Sequence, residues 1–295
     1  MQETRFYYLL LNLETATEDN VDVFIKELNK LIKKYTESGQ ITDSARLGKE
    51  ISRLVDQFYD KFSQDLGDTA EQISKARVDS ELARIAPLLK KASLFEEVFA
   101  LRKEMDDYTR AVFRRLFYTE RFGMTLDYRI KTIISGTQKT VRNIITSGVS
   151  QGKGAFEIAD MLDKYIKPDI KGTRVSPADM YRKAFGLGKD YKPMNIPDSS
   201  VEYTALRIAR TESAHIYRQT GIDFYKDRPY VKGYKWQLTN THPRTDECDI
   251  YSKQYYEHED EIPDQHPNCL CDIVPDIMTA EELRKYVVEY ERANV

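Results

Sequence analysis

Cysteine, histidine and tryptophan are scarce in this chain of 295 residues, at three, four and one. All three cysteines fall between Cys248 and Cys271. An odd, clustered set is a poor disulfide framework and a better metal cluster, which points to a chain made in a reducing cytosol. No run of about 18 apolar residues is present, so no transmembrane helix is expected. The opening Met1 to Leu11 holds a short apolar patch without a basic start or a small-residue cleavage site, and is not expected to be a signal peptide. A glycine-rich phosphate loop, a nucleophile elbow and a His-Glu-x-x-His helix are also missing, which removes the usual signatures of nucleotide, ester and zinc-dependent peptide hydrolysis. Nor does one sign of charge dominate: 45 Lys and Arg meet 48 Asp and Glu, and the formal net charge of -3 argues against a protein whose whole surface binds nucleic acid. There is no internal repeat.

What is present suits a folded, soluble protein: 41% hydrophobic residues, 32% charged, with 20 Tyr and 12 Phe. The first half reads as helix after helix. Val21, Phe24, Leu28, Leu31, Ile32 and Tyr35 make one helical stripe, ended by Ser38-Gly39. A second stripe runs from Ala45 to Phe62, and Gly67 is expected to close it. Further helices are expected at about 70–92 and 94–120, the first broken or kinked at Pro87. No strict heptad persists, so these stripes read as core faces rather than a coiled coil. A new unit begins near Met124, with a helix through Ile145, a turn at Ser147–Gly152 and a short helix from Phe156. Residues 167–200 are rich in proline and glycine, with a helix expected near Pro177–Phe185. A long helix follows at about Val201–Tyr225, then a strand at Tyr230–Leu238, and a last helix opened by the capping box Thr279-Ala280-Glu281-Glu282. The expected fold is therefore mainly α, with a small α+β C-terminal domain. Its parts are a helical arm or bundle over 1–123, a helical segment with a loop-rich connection over 124–200, and an α+β domain with a Cys/His cluster over 201–295.

Three stretches carry chemistry. Cys248, His266, Cys269 and Cys271 offer thiolate and imidazole ligands for one tetrahedral, structural zinc ion, and His242 is an alternative ligand. Buried, metal-free cysteines are the plainer alternative. His258, among Glu257, Glu259, Asp260 and Glu261, reads as a surface residue. A catalytic metal would need an open coordination position and a nearby acid such as Asp246, Glu247 or Asp249. Yet Tyr234 to Asp276 holds ten Asp/Glu against three Lys/Arg, a surface that repels a phosphate backbone. In the helix, Arg207 and Arg210 share a face by spacing while Glu212 lies on another, a pattern that reads as an ion pair. Between Lys164 and Lys192 eight Lys/Arg meet three Asp, which makes this connection a candidate contact for DNA or an acidic protein surface.

In this order the pieces resemble the Mu F-like family of phage head-morphogenesis, or minor capsid, proteins. The first is Leu126-Asp127-Tyr128-Arg129 and the helix to Ile144-Ile145-Thr146-Ser147-Gly148. The second is Arg207-Ile208-Ala209-Arg210-Thr211-Glu212. The third runs from Lys232-Gly233-Tyr234-Lys235-Trp236 through His242-Pro243-Arg244-Thr245-Asp246-Glu247-Cys248 to His266-Pro267-Asn268-Cys269-Leu270-Cys271. The match spans about 125–276, and the helical first 120 residues lie outside it. The family more often has Arg where Leu270 stands and an acid where His242 stands. The resemblance implies an assembly protein of the virion head rather than an enzyme. It would be made in the host bacterial cytoplasm, without a membrane at assembly. It would act at the portal vertex or capsid interior, against portal, major capsid or scaffolding proteins, and in DNA packaging or ejection. A metal-dependent nuclease or a transferase-like toxin domain is the alternative reading.

Overall fold

The computed structural model describes residues 2–121, 123–167, 200–239 and 245–293. Helix α1 (Gln2–Lys34) turns through a two-residue hairpin, β1 (Thr36–Glu37) and β2 (Gln40–Ile41), into the long α2 (Ser44–Lys91). Ser38 and Gly39 at the hairpin tip take φ of 49° and 81°. Two successive left-handed residues give the chain the twist a tight antiparallel turn needs. Next come α3 (Phe95–Tyr118), the short pair β3 (Glu120–Arg121) and β4 (Met124–Thr125), α4 (Leu126–Ser150) and α5 (Ala155–Ile166). The C-terminal part contains α6 (Val201–Tyr225), β5 (Val231–Gln237), α7 (Glu247–Tyr251), β6 (Tyr255–Tyr256), β7 (Asp272–Ile277) and α8 (Ala280–Ala293). The fold is mainly helical, with one three-stranded antiparallel sheet of order β6-β5-β7. No helix among the described residues is long and apolar enough to cross a membrane.

Local signals start the helices where hydroxyls and carboxylates can satisfy orphan N–H groups. Asp43 accepts from Arg46 N at 2.9 Å, Thr125 from Tyr128 N at 3.1 Å and Ser200 from Tyr203 N at 3.1 Å. The expected capping box of α8 forms: Glu282 N donates to Thr279 Oγ1 and Thr279 N donates to Glu282 Oε2. α2 runs on through Gly67 instead of ending there, and it passes Pro87 without a break. A helical glycine costs about 1 kcal/mol relative to alanine. Leu66 and Ala70 on either side of Gly67 are fully buried, and burying one leucine returns about 1.5–3 kcal/mol. Pro87 stands on the exposed side of the helix while Ile85 and Leu89 are buried, so packing again outweighs the missing hydrogen bond. α4 likewise continues through Ser147 to Ser150, because Gly148 packs directly under Ile158 of α5.

One hydrophobic core joins all of this, from Phe6 in α1 to Leu283 in α8. α6 runs against both α1 and α2, and it is buried nearly all round. Tyr217 of α6 stacks on Phe6, with ring centres 4.5 Å apart, and lies under the Arg77 guanidinium at 4.4 Å. Arg77 is the polar joint of the core. Its Nε lies 3.0 Å from Glu81 Oε1, its Nη1 donates to Asp272 Oδ2 at 2.6 Å, and its Nη2 donates to Ile273 O at 3.3 Å. Burial works against this charge, but Asp272 and Glu81 outweigh it and hold the guanidinium protonated. Glu81 in turn accepts from Tyr225 Oη at 2.8 Å. Gly221 is needed beside this joint, since a Cβ there would lie 2.6 Å from Arg77 Nη2.

Replacing Arg77 by leucine is expected to destabilise the protein by about 3 kcal/mol, because the half-buried Asp272 loses its Arg77 partner and Glu81 falls back on the longer Arg84 contact at 3.5 Å and the Tyr225 hydroxyl. Urea unfolding of Arg77→Leu checks this; a midpoint unchanged from wild type would show that the joint is dispensable.

Candidate metal centre and the arginine–glutamate cluster

The Cys/His site is assembled from three pieces of irregular chain held against α6. α7 supplies Cys248. Asp246 caps this short helix, with Oδ1 accepting from Cys248 N at 2.8 Å, while Asp249 Oδ2 accepts from Asp246 N at 2.8 Å. His266 to Cys269 is a tight turn closed by Cys269 N donating to His266 O at 3.2 Å. Proline at the second position and a left-handed residue at the third are what a type II turn asks for, and Pro267 and Asn268 (φ 63°) provide them. Gln265, itself buried, donates through Nε2 to Cys269 O at 2.7 Å and Cys271 O at 3.2 Å, which fixes the loop beyond the turn.

Ligand atoms of Cys248, His266 and Cys269 lie within 4.8 Å of one another, close enough to share one metal ion. Cys248 Sγ is 3.2 Å from His266 Nε2 and 3.5 Å from Cys269 Sγ. His266 Nδ1 lies 2.9 Å from Pro267 O, so a proton on Nδ1 leaves the Nε2 lone pair directed at the sulfurs. Cys271 is buried beside this trio, with its N–H on Cys269 Sγ at 3.4 Å, and its thiol is not one of the three ligand atoms that converge. None of the three cysteines is in a disulfide, and all three are buried. His242, the alternative ligand, lies outside the described residues. His258 is exposed, as expected.

The charges within the cluster are strongly coupled. Hydrogen bonds from Cys248 and Cys271 push the Cys269 thiol down, and the same bonds push the other two thiols up. His266, hydrogen-bonded to the Cys269 sulfur, is pushed up to about 9. Cys269 is therefore the sulfur that carries negative charge most readily. Asp246 Oδ2 is 3.4 Å from His266 Nε2, at the edge of the site.

Beside the turn lies a second polar centre. Glu212 is fully buried and pairs with Arg129 Nη1 at 2.8 Å and Arg121 Nη1 at 3.4 Å. Its neighbour Thr211 accepts from Asn268 N at 3.0 Å, which ties the metal-site turn to α6. One helical turn on, His215 is held well below its usual range by burial and by Arg121, Arg218 and Arg129, so it stays neutral. Arg218 packs over the Trp236 ring at 5.0 Å, and burial lowers it to about 10 against the opposing pull of Cys269. Arg207 and Arg210 do not share an environment: Arg210 is buried on Glu14 of α1 at 2.8 Å, while Arg207 is exposed. Spacing alone misplaced them because α6 has few exposed positions. Burial raises the Glu14 carboxyl even against Arg210.

Of the basic stretch, only Lys164 to Lys167 is described. Lys164 pairs with Asp160 at 2.6 Å and Lys167 with Asp22, so both charges are already matched within the chain. The rest of it, with the helix expected near Pro177–Phe185, lies outside the described residues. Gln265, Thr211, Arg121 and Arg218 were not singled out by sequence reasoning. Arg121 and Arg218 are ordinary charged residues until the fold encloses them. Thr211 was visible only as part of the Arg-Thr-Glu triplet.

No family model matches the chain, and neither a curated protein nor a solved structure does.

Glu212→Gln is expected to cost about 3–5 kcal/mol, because the two guanidinium groups then lose the one carboxylate they share. Arg129→Gln is expected to cost less, since Arg121 still faces Glu212 and the Arg129 side chain is 22% exposed. Chemical denaturation of the two variants tests this order, and the reverse order would contradict it.

Proposed function

We propose that this chain is a minor capsid, or head-morphogenesis, protein of a tailed bacteriophage, and that a structural zinc ion staples its C-terminal module. The carrying observation is that the three stretches resembling the Mu F-like family meet at one place. Arg129 of the first pairs with Glu212 of the second, and Thr211 of the second bonds Asn268 of the third. Stretches far apart in the chain, read from the sequence as one ordered pattern, form one contiguous structural unit. In this reading the module docks in the head, at the portal vertex or capsid interior, against portal, major capsid or scaffolding proteins, and takes part in packaging or ejection of DNA.

The donor set fits zinc. A tetrahedral ion with Zn–S bonds of about 2.3 Å needs sulfurs about 3.8 Å apart. The 3.5 Å between Cys248 and Cys269 is within a few tenths of an ångström of that. Cys248, His266 and Cys269 would hold the ion, and Cys271, buried beside them, would supply the fourth ligand. The ion would supply folding energy by cross-linking α7 to the 266–271 turn. A structural role is favoured over a catalytic one by the sulfur-rich, mostly buried donor set. Asp249 and one oxygen of Asp246 cap α7, Glu212 gives both of its oxygens to arginines, and the second Asp246 oxygen lies 3.4 Å from His266 Nε2 at the edge of the site.

Elemental analysis of freshly purified, reduced protein is expected to find about one zinc per chain, the stoichiometry of a single four-ligand site. Acidification should release it, because the thiolates and imidazole must lose their protons to bind. Metal-free protein at neutral pH would count against the staple. Cys269→Ser is expected to lose the ion and, with a folding contribution on the order of 10 kcal/mol removed, to open the segment after Leu238 to protease. Equal protease resistance would rule out a structural ion. The assembly role itself is tested by a cryo-EM map of procapsids or virions carrying this chain. Density for the α1–α2–α6 bundle on the portal or inner capsid wall is expected, and heads that lack the chain would refute it.

A further inference from the structure

A cleft of about 300 Å³ opens between α4 and α6, next to the metal-site turn. Arg129 and Arg207 line it with Glu212, and Met124, Ile133 and Ile208 give it apolar walls. Its size is at the lower end of the range for small-ligand sites. Both Glu212 oxygens are engaged, Oε1 by Arg129 and Oε2 by Arg121, so this carboxylate has no lone charge to offer a ligand. Arg129 spends one of its donors on Glu212 and is partly exposed to the cleft. Arg207 is exposed at the rim and makes no ion pair among the described residues. Glu212 is already shared between Arg129 and the buried Arg121, so Arg207 and the second half of the Arg129 fork leave the lining net cationic.

We propose that this cleft binds a carboxylate carried beside an apolar side chain, as a partner polypeptide presents it. The cationic lining calls for an anion. Walls that are mostly apolar solvate a dianionic phosphate poorly and favour the smaller charge of a carboxylate. A guanidinium presents several N–H donors in a flat fork, which suits the two oxygens of a carboxylate. The apolar walls take the adjoining aliphatic group. Pro267 closes one end of the cleft, so a bound chain would lie against the turn that carries His266 and Cys269. The site stands apart from the assembly role: it can bind its ligand whether or not the protein belongs to a phage head.

The test is a ligand-observed NMR titration of the full-length protein with N-acetylleucine, N-acetylleucinamide and inorganic phosphate. N-acetylleucine is expected to bind saturably, and the neutral amide at least about tenfold more weakly, the loss that goes with one charge-assisted hydrogen bond. Arg207→Gln and Thr132→Glu, both at exposed helical positions lining the cleft, should each weaken N-acetylleucine about tenfold while leaving the circular dichroism unchanged. Equal affinity for the amide would reduce the cleft to an apolar dent. Phosphate binding as tightly as N-acetylleucine would make it a bare cationic patch. Absence of saturable N-acetylleucine binding, or affinity unaltered by both substitutions, would overturn the proposal outright.

Discussion

Buried charge that must be matched is the constraint on which this fold turns. Arg77 sits inside the helical core, and it joins one near and one distant partner: Glu81, one turn on along its own helix, and Asp272 of β7, 195 positions away. An apolar contact tolerates a shift of half an ångström. A buried guanidinium between two carboxylates does not, since the cost of desolvation is offset only at hydrogen-bonding distance. Arg77 therefore sets where β7 lies on α2. Through the β5–β7 register, with Trp236 opposite Ile273 and Gln237 opposite Asp272, it sets where the sheet lies as well. Arg210–Glu14 and Glu212 with Arg121 and Arg129 repeat the device along α6. Each joins that helix to a different neighbour.

The metal-site loop inherits its position from this frame. Cys271 immediately precedes β7, so the strand that Arg77 anchors also delivers the last cysteine. Thr211 anchors the other side of the turn through the Asn268 amide. The three converging ligand atoms are thus preorganised by hydrogen bonds that involve none of them. Backbone bonds from Gln265, caps from Asp246 and Asp249, and one threonine hydroxyl do the positioning.

What could be read from the sequence was what is decided locally. The Thr279–Glu282 box, the α6 limits and the Cys/His clustering each depend on residues a few positions apart. The start of α1 was harder to see. Its apolar stripe is interrupted where Glu14 and Thr17 are buried, the first answered by Arg210 and the second by its own helix through Leu13 O. A polar residue at a core position carries no helical signature until its distant partner is known. Gly67 misled for the opposite reason: its local preference is real, and the packing of the surrounding helix overrides it. The Arg77–Asp272 and Glu212–Arg121 pairs span 195 and 91 positions, and no pattern of spacing announces such pairs.

That long reach has a consequence for how the protein is made. As the chain leaves the ribosome, α1, α2 and α3 emerge first, with Arg77, Glu81 and Glu14 already on faces destined for the interior. Arg210 and then Asp272 arrive only after most of the chain has been synthesised. Until then Glu14 lacks Arg210, and Arg77 has Glu81 of its own helix but not Asp272, so the core around them closes on incompletely matched charge. Contacts that span so much of the chain close slowly, because the loop between them must first be ordered. The final strand thus acts as a latch. Nascent chains that stop short of Asp272 would leave a half-finished bundle for chaperones and proteases to deal with.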